Sequence, residues 1–209
     1  MTESELQAAV AREDLCRYLS ACFYEPDAAF EEEGMFRALV EAAKRVDAHL
    51  VVDAEAMAQA FRCTGMDKLL LDYSRLFLGP TDILAKPYGS VWLDAEKTLM
   101  GKSTMAVLGL YGEADFEMDD DFKEVPDHVA VELEFLYALI FRENEARRNG
   151  NVAQLNAAID LKRRFLSQHL GLWIGPFAAA VKDFAQCDFY RVLAELTTAF
   201  VGRESAANA

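Results

Sequence analysis

The chain has 209 residues, 53% of them apolar and 27% charged, and its 35 Asp and Glu outnumber 21 Lys and Arg to leave a net charge of −14. At about 150 residues per domain, that length suits one domain or two small halves sharing an interface, and the sparse 11 Gly and 5 Pro argue against a linker-rich, disordered or many-turned β chain. So acidic a surface repels phosphate backbones and anionic lipid and attracts a cationic partner.

The hydrophobic period is helical nearly throughout. Leu6, Ala9, Val10, Tyr18, Leu19, Cys22 and Phe23 keep the three-and-four spacing of one helix face, and Pro26 ends that segment. Further helices are expected over 28–45, over 53–62 and, capped by Asp67, over 68–78, where Gly79-Pro80 stops the helix. Residues 81–92 contain Pro87 and Gly89 without a helical stripe and read as an ordered loop. A fifth helix fits 94–111, weakened by Gly101 and Gly109. After the acidic stretch 112–125, Pro126 suits the first turn of a new helix, where its missing N–H costs nothing. There Leu133, Leu136, Tyr137, Ile140 and Phe141 make one face, and Val131, Phe135, Ala138 and Leu139 make much of the other. A helix apolar almost all round is a central, buried one. Gly150 suits its C-terminal cap, helices over 152–169, 176–187 and 189–201 follow, and 202–209 reads as a frayed tail. The expected fold class is all-α: a globular bundle of eight or nine helices. It has an N-terminal part, 1–112, and a C-terminal part, 126–209, joined by an acidic hinge loop, 113–125, within one structural domain.

The four cysteines, Cys16, Cys22, Cys63 and Cys187, form no C-x-x-C pair and read as buried, reduced thiols. The acidic Met1-Thr2-Glu3-Ser4-Glu5 start precedes no signal-peptide-like apolar run. The longest stretch free of Asp, Glu, Lys, Arg and His, 170–181, falls short of the roughly 20 residues that span a bilayer. The chain is therefore expected to be soluble and cytoplasmic.

Between Glu113 and His128 stand eight carboxylates against Lys123 alone. They make either a solvated loop or a funnel for a basic peptide, since carboxylates accept bidentate arginine bonds. In the following helix, Asp127 and His128 are expected in the first turn, Asp127 as a dipole partner or a ligand contact, His128 as a structural or a functional imidazole. Glu132 and Glu134 interrupt an apolar helix, where an unpaired charge is costly, so each needs a partner in the fold or on a ligand. Tyr73, Leu76 and Phe77 share one apolar stripe, whereas Pro87, Tyr88 and Trp92 put rigid aromatic surface on a segment without a helix face, as in a peptide-binding groove. No G-x-G-x-x-G, Walker loop, H-E-x-x-H or G-x-S-x-G is present, and with three histidines (His49, His128, His169) a histidine-rich metal site is not expected. Asp120-Asp121-Phe122-Lys123-Glu124 is weakly similar to the magnesium motifs of all-α prenyl synthases, so the alternative reading is an all-α magnesium-dependent enzyme using 119–124.

Three segments together resemble the TorD/DmsD family of cytoplasmic chaperones for molybdoenzymes. The first is Tyr73-x-x-Leu76-Phe77-x-Gly79-Pro80 with Pro87-Tyr88-x-Ser90-x-Trp92. The second, the specific one, is Glu124-x-Pro126-Asp127-His128-x-x-x-Glu132-Leu133-x-Phe135. The third is His169-Leu170-x-x-Trp173 with Phe189-Tyr190 and Leu193-Ala194-x-Leu196. The resemblance implies an all-helical protein without turnover. Such a protein binds the twin-arginine signal peptide of an immature redox enzyme, delays its export and helps the molybdenum cofactor enter.

By motif position it implies peptide contacts at Tyr73, Leu76, Phe77, Pro87, Tyr88, Trp92, Glu124, Asp127 and His128. Gly79, Pro80, Ser90, Pro126, Glu132, Glu134 and Phe135 would be structural. Tyr73 stands where some members have Trp, and Gly89 where many have an acidic residue. The resemblance implies no catalytic or metal-binding residue and no resident cofactor, a guanine nucleotide or the molybdopterin cofactor being the groups it brings into view. The implied partners are the signal peptide and the apo form of a molybdenum-containing reductase, with no nucleic acid and no stable membrane insertion, for a monomer or a helix-swapped dimer. A basic pair followed by an apolar stretch needs carboxylates beside a groove of Leu, Phe and Tyr, which the residues supply independently.

Overall fold

Thr2 starts the first helix. Its hydroxyl accepts the Glu5 amide at 3.2 Å while the Glu5 carboxylate accepts the Thr2 amide at 2.7 Å, a reciprocal cap that satisfies two otherwise orphaned donors. The computed structural model describes residues 2–79, 83–96, 99–118 and 124–207. Among them the chain forms eleven α-helical segments and two π-helical turns: α1 (Glu3–Ala21), α2 (Ala29–Glu32), α3 (Met35–Val46), α4 (Ala48–Thr64), α5 (Met66–Tyr73) running into a π turn (Ser74–Leu78), α6 (Gly89–Leu93), α7 (Lys102–Glu113), α8 (Val129–Arg148), α9 (Val152–Phe165) running through a π turn (Leu166–Leu170) into α10 (Gly171–Phe184), and α11 (Asp188–Ala206). The all-α expectation holds. No helix among the described residues is long and apolar enough to cross a membrane.

Helix α8 is the central element. Val129, Ala130, Val131, Leu133, Phe135, Leu136, Leu139 and Ile140 are all buried, and α1 and α9 pack on it. Helix α11 packs on α4 and α10. One continuous apolar core therefore draws Leu15, Phe36 and Phe77 from one side of the acidic stretch and Leu136, Phe165 and Phe200 from the other.

Several boundaries differ from the sequence expectation. Gly34, at φ +76°, divides the expected helix 28–45 into α2 and α3. Asp47 accepts the His49 amide and starts α4 earlier than residue 53, and Gly65, not Asp67, precedes α5. The fifth helix begins at Lys102, not residue 94, and the expected loop 81–92 ends in the short helix α6. Pro126 and Asp127 lie outside α8, because His128 is its cap. Gly171, Gly175 and Pro176 do not break the helix running from Val152 to Phe184. An internal proline costs about 3 kcal/mol, whereas burying Trp173, Ile174, Phe177 and Val181 returns roughly 1.5–3 kcal/mol each. Nor is the tail frayed from residue 202. α11 runs to Ala206 because Glu204, fully buried, forms a two-pronged bond to Arg12 at 2.9 and 2.6 Å. Phe141 is exposed rather than part of a buried face of α8, and Cys63 is exposed while the other three thiols are buried. Of the expected acidic hinge, Asp119, Asp120, Asp121, Phe122 and Lys123 lie outside the described residues, as does Pro80. Its described start is tied down, Glu113 pairing with Arg164 of α9.

Candidate functional site: a tyrosine and carboxylate cluster beside the cap of α8

The segment Glu124–His128 is a turn, with the His128 amide donating to the Val125 carbonyl at 2.9 Å and the Tyr111 hydroxyl to the Pro126 carbonyl at 2.8 Å. Each residue at its end has two jobs. The Asp127 carbonyl accepts the Gly89 amide at 2.8 Å, and its side-chain Oδ2 accepts the Ser90 amide at 2.7 Å. His128 forms an antiparallel bridge with Tyr88, and its Nδ1 accepts the Ala130 amide at 3.2 Å, capping α8. The Val129 amide donates to the Pro87 carbonyl at 2.8 Å, closing the junction. The two sequence segments that look separate, Pro87–Trp92 and Glu124–Phe135, are thus one hydrogen-bonded unit.

Around this junction the aromatic rings converge. Tyr24, just beyond α1, stacks on the His128 ring at 6.0 Å, and Tyr88 meets it edge-on at 5.5 Å. The Tyr24 hydroxyl donates to Glu134 Oε1 at 2.9 Å, and Ser20 donates to the same carboxylate and to the Ala130 carbonyl. Burial and the nearby carboxylates, Glu124 among them, raise the pKa of three phenols: Tyr24, Tyr88 and Tyr73, the last pushed up to about 12 with Glu25 contributing. Burial also lifts Glu134 above the usual carboxylate range, partly offset by its bonds from Tyr24 and Ser20. His128 is held down to about 4 by burial, against the pull of Asp127, so its ring is neutral near pH 7.

A second polar cluster lies behind the first. Glu132, wholly buried, bonds His169 Nε2 at 2.7 Å and accepts from Trp173 Nε1 at 3.0 Å. Burial pushes the Glu132 carboxyl up to about 7, moderated by His169. Burial would lower His169, but the Glu132 carboxylate overcomes it and leaves the imidazole above its ordinary value.

The named candidates sort by depth. Tyr88, Trp92 and Glu124 are half-exposed, and Tyr73 reaches the surface only at its edge. Leu76, Phe77, Pro87 and Asp127 are buried. Phe77 sits among Phe23, Tyr73, Phe177 and Tyr190, and Trp92 donates its indole N–H to the Lys86 carbonyl at 2.8 Å. Of the structural set, Ser90 and Phe135 are buried, Pro126 and Gly79 half-buried, and both Glu132 and Glu134 find their partners inside the fold. Sequence reasoning missed Tyr24 and Glu25, which follow a helix stripe without any motif. It did single out Glu132, His169 and Trp173, but not that the three meet. Among the described residues no group of three or more His, Cys, Asp or Glu is arranged to hold a metal ion, and the Asp120 and Asp121 of the magnesium alternative lie outside them.

The family model described as nitrate reductase delta subunit matches residues 39–179. The chain is 31% identical over 183 residues to the Tat proofreading chaperone DmsD of Salmonella typhimurium, covering 86% of this chain and 82% of that protein. The chain belongs to the TorD/DmsD chaperone family. It is also 31% identical to the chaperone protein TorD of Vibrio parahaemolyticus, over 139 residues, and to that of Vibrio cholerae, over 137 residues, each covering 66% of this chain. It spans 63% and 60% of the length of those two TorD relatives. These members of the family are named as chaperones, not as enzymes. The matched region 39–179 takes in Tyr73, the Pro87–Trp92 segment, the α8 cap and the Glu132–His169–Trp173 cluster; Tyr24 and Glu25 precede it.

Proposed function

We propose that this protein is a cytoplasmic maturation chaperone that binds the twin-arginine signal peptide of an apo molybdoenzyme, delays its export and assists insertion of the molybdenum cofactor. The reading is carried by the clustering of Tyr24, Tyr73 and Tyr88 with Glu25, Glu124 and Glu134 around the capped start of α8. A guanidinium is suited to such a place. It stacks on a phenol face and at the same time donates paired hydrogen bonds to a carboxylate, which an ammonium does not. Family membership supports the chaperone role, and the chain's net charge of −14 favours approach of a basic segment.

The strength expected of such a holder is moderate. Burying about 300 Å² of a peptide's apolar stretch contributes roughly 7 kcal/mol, ordering the peptide costs about 2–5 kcal/mol, and each charge-assisted bond adds about 1.5–3 kcal/mol. Two such bonds give an affinity near micromolar, about 8 kcal/mol. Calorimetric titration with a synthetic peptide carrying an Arg-Arg pair and an apolar tail tests this, beside its Lys-Lys and scrambled counterparts. The Arg-Arg peptide is expected to bind at least tenfold more tightly; equal binding by all three overturns the reading.

A further inference from the structure

Gly89 lies where a side chain fits only if something around it gives by a few tenths of an ångström. A Cβ built on it would stand 3.0 Å from Glu132 Oε1, 3.0 Å from Trp173 Nε1 and 3.2 Å from His169 Nε2. These three atoms are the polar tips of one buried cluster, joined by the 2.7 Å and 3.0 Å bonds to Glu132. None of the three side chains reaches solvent enough to meet a ligand, their residues being 0%, 0% and 2% exposed for Glu132, Trp173 and His169. The backbone of the Pro87–Trp92 segment therefore rests directly on them. We propose that Glu132, His169 and Trp173 are positioning residues: they form a seat whose height sets where Tyr88 stands relative to His128 and Tyr24.

The connections leave little slack. Gly89 and Ser90 are bonded through their amides to Asp127, and Pro87 through its carbonyl to Val129, so the segment cannot rise at residue 89 without pulling on the bridge at Tyr88–His128. The seat itself is fixed from two helices. Glu132 stands one turn into α8, while His169 and Trp173 project from the π turn and α10, four residues apart and so on one face. Phe165 stacks on His169 and Phe177 packs against Trp173. An indole packed on Phe177 and a carboxylate held by two bonds resist that shift, so the smallest side chain at residue 89 is expected to lift the segment instead. The absence of a side chain at Gly89 then belongs to this chain's own packing of the segment on Glu132, His169 and Trp173.

This inference rests on the peptide-binding reading for its consequence but not for its geometry, and the experiment separates the two. Gly89→Ala is compared with the wild type by amide hydrogen exchange and by titration of the Arg-Arg peptide. The amides of Ser90 and Val129, which hold the junction together, are expected to exchange at least fivefold faster, while core amides of α8 and α11 keep their protection. The Arg-Arg peptide is expected to bind at least tenfold more weakly. Unchanged exchange at Ser90 and Val129 overturns the seat. Faster exchange with unaltered peptide affinity overturns its role in placing Tyr88. Failure of the peptide to bind even the wild type overturns the peptide-binding reading and leaves the exchange result to decide the seat. Should Gly89→Ala not fold, Trp173→Phe keeps a packed ring while removing the donor to Glu132 and part of the indole's volume. It is expected to speed exchange at the same two amides about threefold, and no change there overturns the proposal.

Discussion

Glu132 of α8 and His169 of the π turn meet at 2.7 Å in the interior, and both hold protons more tightly than they would in water. Their contribution to stability is therefore complete at low pH. For Glu132 it is lost as pH rises from 4.5 through about 7, and for His169 as pH rises through its elevated folded value. His128 works in the opposite sense: held near 4, it leaves the folded state unprotonated while the unfolded chain takes up a proton, so stability falls as pH drops from 6.5 towards 4. Urea unfolding midpoints measured from pH 4 to 9 should decline on both sides. Glu132→Gln should flatten the alkaline side and leave the acid side in place.

The ion network that joins both ends of the chain should dominate acid sensitivity below that range. Lys162 is 1% exposed and is bonded to Glu143 and Glu204, and Arg12 bonds the same two carboxylates. Burial alone would raise Glu143, but Lys162 and Arg12 outweigh it and hold the carboxyl at about 2. Its stabilisation is present above 4.5 and lost as pH falls towards 2. Lys162→Met should cost about 3–5 kcal/mol by leaving buried carboxylates undercompensated. The double change Lys162→Met with Glu143→Leu should cost less than the sum of the two single changes, as read from denaturant curves.

Asp127 and Glu124 stand three residues apart and should respond differently. Asp127→Ala leaves the Ser90 amide without its acceptor in a buried position and should cost about 1–3 kcal/mol of stability. Asp127→Asn, which retains an acceptor oxygen, should cost less. Glu124→Gln, at a half-exposed position, should change stability by less than about 0.5 kcal/mol yet weaken the Arg-Arg peptide at least threefold. Pairing thermal unfolding with titration on the same samples checks the contrast.

Phe77 offers a control for the tyrosine cluster. Its ring touches four other rings and is 2% exposed, so Phe77→Ala should cost about 3–5 kcal/mol. Tyr88→Ala, half-exposed, should cost far less stability and more affinity. The ratio of the two effects, measured by unfolding and by peptide titration, tells core from site.

What the residues of this chain determined on their own is the helical class and the identity of its central element. A stretch apolar on nearly every side, such as Val129 to Ile140, has one stable place, the middle of the core, and the two carboxylates set in it had to find partners. The family was legible too, because Glu124-x-Pro126-Asp127-His128 is a local pattern with a local purpose. Only the tertiary structure decided which way those residues turn. Asp127 points inward because the Ser90 amide needs an acceptor, His128 caps a helix that starts later than Pro126 suggests, and Tyr24 joins the site from a helix end more than a hundred residues away. Hydrophobic spacing reports which face of an element is buried, but it is silent about which element meets which. The close fit of Gly89 on Glu132, His169 and Trp173 is a property of three distant segments at once, and it exists only after the core has packed.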